Sequence, residues 1–127
     1  MKKQENLNIK KVLIILAVVF LIIILFTFID YLVHSLSQEY SVPQYYFKNK
    51  ILFGTLIGFI SYIAFRKQKA FVRALYLSLT VSILLQIRYF LEGYSLEFVL
   101  EFLLIHFIIL LVASTLIFWI IDRKNIL

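Results

Sequence analysis

The chain has 127 residues, of which 63% are hydrophobic and only 16% are charged, and its mean hydropathy is +0.97. Soluble domains average about 45–50% apolar and about 25% charged residues, so this composition predicts an integral membrane protein with too little polar surface for a water-soluble globule. The hydrophobic content also excludes a disordered chain, and the absence of cysteine excludes disulfide exchange, thiolate metal sites and iron–sulfur clusters.

Charged residues divide the chain into four continuous apolar stretches. These stretches contain 18, 15, 14 and 20 residues and comprise residues 12–29, 51–65, 74–87 and 102–121. As helices they cover roughly 21 to 30 Å of a hydrocarbon core about 30 Å thick. The two shorter stretches reach across if cations at their ends, such as Lys50 and Arg73, extend toward the interface. Barrel strands are excluded because the stretches do not alternate between apolar and polar residues.

Residues between the stretches predict where the helices begin and end. Ser41 and Gln44 have the S-x-x-Q spacing of a capping box, so the second helix is expected to begin near Pro43. Gly93 is suited to end the third helix, and Ser95 is suited to cap the fourth. The predicted helices are approximately residues 9–36, 43–67, 70–92 and 95–122.

Short connections make neighbouring helices antiparallel, which predicts one all-α domain over residues 1–127, an up-down-up-down four-helix bundle. Ten Lys and Arg residues fall on the side of the two termini and the 66–73 turn, and three fall on the other side. By the positive-inside rule, both termini are expected in the cytoplasm, with the protein in the cell membrane. The net charge of +6 then reflects topology, and the expected partner is the lipid bilayer instead of nucleic acid.

The candidate outer-rim site, opposite the termini, comprises Asp30, His34, Arg88, Glu97 and Glu101. Asp30 and His34 are four residues apart and therefore share one helix face. Glu97 and Glu101 have the same spacing. If both faces turn inward, carboxylates and an imidazole converge in a site suited to a metal ion or to proton handling. Alternatively, His34 and Glu101 share acid–base work at the outer leaflet. A third interpretation is that the charges expected at one level, Asp30, Lys50, Arg88 and Glu101, form ion pairs between helices and with headgroups.

Gln86 and His106 form a candidate intramembrane polar site. His106 lies about 7–8 Å deeper than Glu101, and five residues turn the helix by about 140°, so the two side chains cannot point at the same spot. We expect a neutral His106 that is hydrogen-bonded to Ser82, Gln86 or another polar group in a neighbouring helix. A role in a proton relay or as a ligand is one alternative, and a His106 side chain that faces lipid or a partner protein is another.

Small residues in the second and third helices predict close helix packing. Gly54 and Gly58 form a G-x-x-x-G motif, which Ser61 extends. Ser78 and Ser82 repeat at a spacing of four on the third helix. These two faces are expected to pack on each other within one chain, and a homodimer seam is the alternative.

No motif specifies an activity. The favoured hypothesis is a non-enzymatic accessory or interaction protein whose polar outer face contacts a membrane protein or a second copy of the chain. One alternative is an oligomeric small transporter or channel, because four helices rarely enclose a pore alone. A further alternative is an outer-leaflet enzyme or metal site that uses Asp30, His34 and Glu101, although no nucleophile with an adjacent base stands out. No cofactor is expected.

Overall fold

The computed structural model describes residues 6–127, which fold into four α-helices and a short 3-10 helix. The α-helices are α1 (Ile9–His34), α2 (Tyr45–Phe65), α3 (Ala70–Leu91) and α4 (Leu96–Arg123), and the 3-10 helix is Gln38–Tyr40. The all-helical prediction is confirmed, and each helix end lies within two residues of its predicted position.

Among the described residues, α1, α3 and α4 are long and apolar enough to cross a membrane, which indicates a membrane protein. The helix α2 does not qualify by the same measure, because Lys48, Asn49 and Lys50 occupy its first two turns. Many large apolar side chains, such as Phe28 and Leu116, point away from the bundle and are more than half exposed. A bilayer would cover this surface.

The predicted end of α3 and start of α4 are confirmed. Gly93 adopts a φ of 90°, a left-handed conformation that glycine accommodates without strain. The Tyr94 N–H donates to the Tyr89 carbonyl oxygen at 3.2 Å and closes the end of α3. The Ser95 hydroxyl then accepts a hydrogen bond from the Phe98 N–H at 3.2 Å and caps α4.

The predicted capping box before α2 is wrong. Ser41 follows the 3-10 helix with extended backbone (φ −65°, ψ 134°), and Gln44 precedes α2 without a side-chain cap. Ser37 caps the 3-10 helix instead, since its hydroxyl accepts from the Glu39 N–H at 3.1 Å. The connection thereby brings Tyr40 against the end of α1, where its carbonyl oxygen lies 2.5 Å from the His34 ring.

Each α-helix packs against two others: α1 and α3 both contact α2 and α4. An apolar core runs through the bundle, and its fully buried members include Val19, Ile22, Ile23, Phe26, Leu77, Val81, Leu110 and Phe118. A second, mainly aromatic cluster lies near the end of α1 and comprises Tyr46, Tyr89, Phe98, Val99 and Phe102.

The glycines of α2 lie against α1. A Cβ on Gly54 would lie 3.2 Å from the nearest Ile23 atom, and a Cβ on Gly58 would lie 2.9 Å from the nearest Val19 atom. A Cβ on Gly58 would also approach Leu77 of α3 at 3.6 Å, so this glycine lies close to both α1 and α3. Both glycines are buried within one chain.

The serines of α3 are buried, and Ser78 faces α4. Ser78 donates to the Ala74 carbonyl oxygen at 2.6 Å, and its hydroxyl lies 3.5 Å from that of Ser114 in α4. Ser82 donates to the Ser78 carbonyl oxygen at 2.5 Å. Ser61 is also buried, and its hydroxyl has no hydrogen-bond partner among the described residues. Small side chains therefore sit inside the bundle as predicted, but they serve two different helix interfaces.

Candidate functional site

A buried cluster of polar side chains surrounds Asp30, near the end of α1. The Asp30 side chain has no exposed surface. Lys50 of α2 donates a hydrogen bond to its Oδ2, and His106 of α4 donates through Nε2 to its Oδ1 at 2.8 Å. The Nε2 atom of His34, one turn further along α1, lies 3.3 Å from the same Oδ1. Gln86 and Tyr89 of α3 complete what we call the Asp30 cluster, so all four α-helices contribute to it.

The hydrogen bonds assign a protonation state to His34. Its Nδ1 lies 2.5 Å from the Tyr40 carbonyl oxygen, which can only accept, so Nδ1 carries the proton. Its Nε2 then accepts from the Lys50 ammonium at 3.2 Å or the Tyr89 hydroxyl at 3.3 Å. In this Nδ1–H tautomer, Nε2 faces two donors, Lys50 and Tyr89, and also lies 3.3 Å from Asp30 Oδ1.

His106 has the opposite tautomer. Its Nδ1 lies 2.6 Å from the Gln86 amide nitrogen, which donates, and its Nε2–H donates to Asp30. The Gln86 Oε1 atom is buried and has no hydrogen-bond partner within the described part of the chain. The two histidines therefore approach one carboxylate, His106 through a protonated nitrogen and His34 through an unprotonated one.

The cluster is electrically neutral and almost free of exposed surface. Asp30 and Lys50 carry opposite charges, and His34, His106 and Gln86 are uncharged in the states assigned above. Their exposed fractions are 0% for Asp30 and His106, 2% for Lys50, and 4% for His34 and Gln86. Burying an ion pair costs several kcal/mol per ion before their mutual attraction compensates, so the sequence retains this pair at an energetic cost.

Aromatic rings enclose the cluster. Phe102 stacks on the His34 ring with centroids 4.2 Å apart and parallel planes, and Phe26 packs edge-on against His106 at 5.3 Å. The Lys50 ammonium lies 5.2 Å from the ring centroids of both Phe47 and Tyr89. These rings exclude water, which lowers the local dielectric and strengthens each electrostatic contact.

Tyr40 connects the cluster to the partly exposed rim. Its carbonyl oxygen holds His34, while its hydroxyl donates to Glu101 Oε1 at 2.5 Å. This bond and the negative charge of Glu101 raise the pKa of the Tyr40 phenol above its ordinary value of 10. A single residue of the 3-10 helix thus contacts both the buried imidazole and the outer carboxylate.

The structure divides the predicted outer-rim site. Asp30 and His34 belong to the buried cluster, and Glu101 reaches it only through Tyr40. Arg88 pairs with Glu92 at 3.6 Å and lies over the Tyr46 ring, and Glu97 is exposed in the first turn of α4. Gln86 and His106, which the sequence placed in a separate intramembrane site, join Asp30 and His34 instead.

Lys50 forms the expected ion pair between helices with Asp30, but it is buried and does not extend toward the interface as predicted. A signal for its burial is present in the chain. Tyr46, Lys50, Gly54 and Gly58 follow one another at intervals of four, so they share one face of α2, and all four are buried. The packing motif thus identifies the face on which the lysine turns inward.

Arg73 forms a second buried charge near the start of α3 and was likewise expected to extend outward. It is 5% exposed and donates to the Tyr62 hydroxyl at 3.0 Å and to Asp122 Oδ2 at 2.5 Å. Its guanidinium packs 5.4 Å from the ring centroid of Phe118. These contacts tie α2, α3 and α4 together but bring no further acid or imidazole to the site.

Comparison with protein-family models, with curated proteins and with solved structures finds no match to this chain. Inference about function therefore rests on the Asp30 cluster. One ligand atom each from Asp30, His34 and His106 lies within 4.8 Å of the others. Carboxylate oxygen and imidazole nitrogen are ligands for divalent metals, and the same groups exchange protons. The cluster is chemically suited to holding a cation.

Proposed function

We propose that this protein is a small multi-pass transporter that binds a cation, either a proton or a metal ion, at the Asp30 cluster. The observation that carries the proposal is a fully buried carboxylate contacted by Lys50 and His106 from two other helices. Ionisable side chains inside a membrane are expensive, face the bundle interior and commonly mark ion pathways. Tyr40, which contacts both His34 and Glu101, lies between this site and the partly exposed rim.

The proposed topology has four spans with both termini in the cytoplasm, and α2 serves as the fourth span. Its support is the excess of Lys and Arg, ten against three, near the termini and the 66–73 turn. Because the chain has no cysteine, single cysteines can test it. We expect a membrane-impermeant thiol reagent on intact cells to label Ser37→Cys and not Gln68→Cys. The reverse labelling would contradict the orientation.

The proposed transporter acts as an oligomer. Below the Asp30 cluster, the bundle interior is filled by apolar side chains such as Val19, Leu77 and Phe118, all fully buried. The buried Ser78 and Ser82 hydroxyls donate to carbonyl oxygens of their own helix, so the described residues of one chain form no continuous series of polar contacts across the bundle. Movement between copies, or alternating exposure of the site, would supply one.

An accessory protein in the cell membrane is the second candidate. It is favoured by the neutrality and extensive hydrogen bonding of the Asp30 cluster, as expected of a network that fixes helix packing. However, that hypothesis expected Asp30 and His34 on an exposed contact face, and they are 0% and 4% exposed. The outer-leaflet enzyme has less support, because Glu101 is engaged by Tyr40 while the His34 Nε2 faces the interior.

Flux into proteoliposomes tests the proposal. The protein is reconstituted around a pH-sensitive or a metal-sensitive dye, and proton, Mn²⁺ and Zn²⁺ entry is measured for wild type and Asp30→Asn. Glu97→Gln is the matched control, since it removes one negative charge from an exposed position outside the cluster. We expect cation entry with wild type and Glu97→Gln, and a loss of entry with Asp30→Asn. Entry at the rate of empty liposomes for all three proteins would overturn transport and favour the accessory protein.

A further inference from the structure

Three side chains of the Asp30 cluster place potential ligand atoms near the spacing of a transition-metal site, and the inference drawn from them rests on the proposed function and narrows its substrate. With metal–nitrogen and metal–oxygen bonds of about 2.0–2.1 Å, tetrahedral ligands lie about 3.3–3.4 Å apart. Asp30 Oδ1 and His34 Nε2 are 3.3 Å apart, and Asp30 Oδ1 and His106 Nε2 are 2.8 Å apart. All three ligand atoms lie within 4.8 Å of one another, so side-chain shifts would bring them to ligand spacing.

The residues behind the ligands are arranged as in metal sites, where each ligating histidine donates its other ring N–H to a fixed acceptor. The Nδ1–H of His34 already donates to the Tyr40 carbonyl oxygen, so its Nε2, which now faces Lys50, is the nitrogen that can bind a metal. For His106, the unpartnered Oε1 of Gln86 provides the acceptor once the amide turns over. His106 can then hold its proton on Nδ1 and present Nε2 to a metal. The Gln86 amide can therefore hydrogen-bond to either tautomer of His106, by donating through Nε2 or by accepting at Oε1.

A cation from the chain itself already occupies this position. The Lys50 ammonium contacts Asp30 and lies 3.2 Å from His34 Nε2, so it engages two of the three ligand groups. A divalent ion beside the ammonium would add two positive charges to a buried cluster that is now neutral. Such a charge has no compensation at low dielectric, so the ammonium must leave when the ion enters.

The fold provides space for the lysine to leave. A cleft of about 260 Å³ lies between α2 and α3, and its wall combines Lys50, Asn49 and Arg88 with apolar side chains such as Phe53 and Leu84. Lysine has a flexible four-carbon stem, so rotation of its side chain can carry the ammonium from the cluster into this cleft. Arg88, the other cation in the wall, lies 3.6 Å from Glu92, which offsets its charge.

We propose that a divalent transition-metal ion binds Asp30, His34 and His106, and that the Lys50 ammonium is the cation it displaces into the cleft between α2 and α3. Lys50 then acts as a tethered competitor. It keeps the empty site neutral, and it lowers the affinity for the metal by the free energy needed to move the ammonium.

Cobalt binding measures this competition. Co²⁺ is titrated into detergent-solubilised wild type, Lys50→Leu and the double variant Asp30→Asn/Lys50→Leu, and its visible absorption and equilibrium dialysis report binding. We expect Lys50→Leu to bind Co²⁺ about tenfold or more tightly than wild type, and the double variant to lose binding. Asp30-dependent binding of equal affinity in wild type and Lys50→Leu would overturn the displacement and leave the cation site intact. Absence of Co²⁺ binding from both, with proton flux retained, would overturn the metal and leave a proton as the substrate.

A second measurement uses the wild-type protein and does not depend on the folding of a variant. Acetic anhydride modifies accessible amines, and mass spectrometry of peptides measures the acetylation of Lys50, with exposed Lys48 of the same helix as the internal control. We expect Zn²⁺ to increase acetylation of Lys50 and to leave Lys48 unchanged. Acetylation of Lys50 that stays the same at saturating Zn²⁺ would overturn the displacement.

Discussion

Asp30→Asn is the substitution whose effect on stability follows most directly from the structure. Asparagine has nearly the same shape and retains an oxygen that can accept from His106, so the main loss is the negative charge. The Lys50 ammonium, 2% exposed, would then lack a counter-charge. Breaking a buried ion pair by removing one partner costs about 3–5 kcal/mol. We expect the free energy of unfolding in mild detergent to fall by about that amount.

A double-mutant cycle separates the charge effect from loss of packing. Lys50→Leu alone leaves a buried carboxylate without its cation, whereas Asp30→Asn/Lys50→Leu removes both charges. Replacing both members of a buried pair with uncharged groups is often neutral or stabilising. We therefore expect the double variant to be more stable than either single variant. Unfolding followed by circular dichroism gives the three free energies relative to wild type.

The exposed residue Glu97 supplies the control for this cycle. Glu97→Gln also removes a carboxylate charge, but from the exposed first turn of α4, and should change the free energy of unfolding by no more than about 0.5 kcal/mol. The reasoning would be refuted if Asp30→Asn were as mild as Glu97→Gln. Additive effects of the two cluster substitutions would refute it as well, because contacting groups are expected to couple.

Two further predictions concern a packing contact and a titration. Gly58→Ala should destabilise the fold by about 1–3 kcal/mol, because the new Cβ would lie 2.9 Å from a methyl of Val19. The β-branched Val19 side chain cannot rotate away easily. Val19→Ala should therefore relieve part of that loss in the same unfolding assay. No loss of stability in Gly58→Ala would contradict the close approach of α1 and α2. The Tyr40 phenol should ionise above pH 10, as measured by the difference in phenolate absorbance between wild type and Tyr40→Phe. Glu101→Gln should lower that pKa toward 10, and an unchanged titration in Glu101→Gln would rule out the hydrogen bond.

The sequence predicts the helices well because their signals are local. Long apolar runs bounded by charges locate the spans, and Gly93 and Ser95 mark a helix end and a helix start through their own backbone requirements. The capping box at Ser41 and Gln44 failed for a physical reason. The backbone there turns through a 3-10 helix, whose Tyr40 contacts both His34 and Glu101 across the fold.

The candidate site could be predicted only in parts. Spacing of four places Asp30 and His34 on one face, and the depth of His106 predicts a polar neighbour such as Gln86, but joining the pairs requires the rotation of each helix about its axis. The helix α1 is apolar around most of its circumference, so hydropathy does not set that rotation. The best signal was the small-residue face of α2, which carries Lys50.

A native mass spectrum of the protein released from a mild detergent after loading with zinc tests the central claim most directly, because it counts metal ions per chain and chains per complex together. The claim is that Asp30, His34 and His106 form one cation site within the bundle. We predict one zinc ion per chain on Lys50→Leu and none on Asp30→Asn/Lys50→Leu. A metal-free Lys50→Leu protein at excess zinc, or zinc retained equally by the double variant, would contradict it.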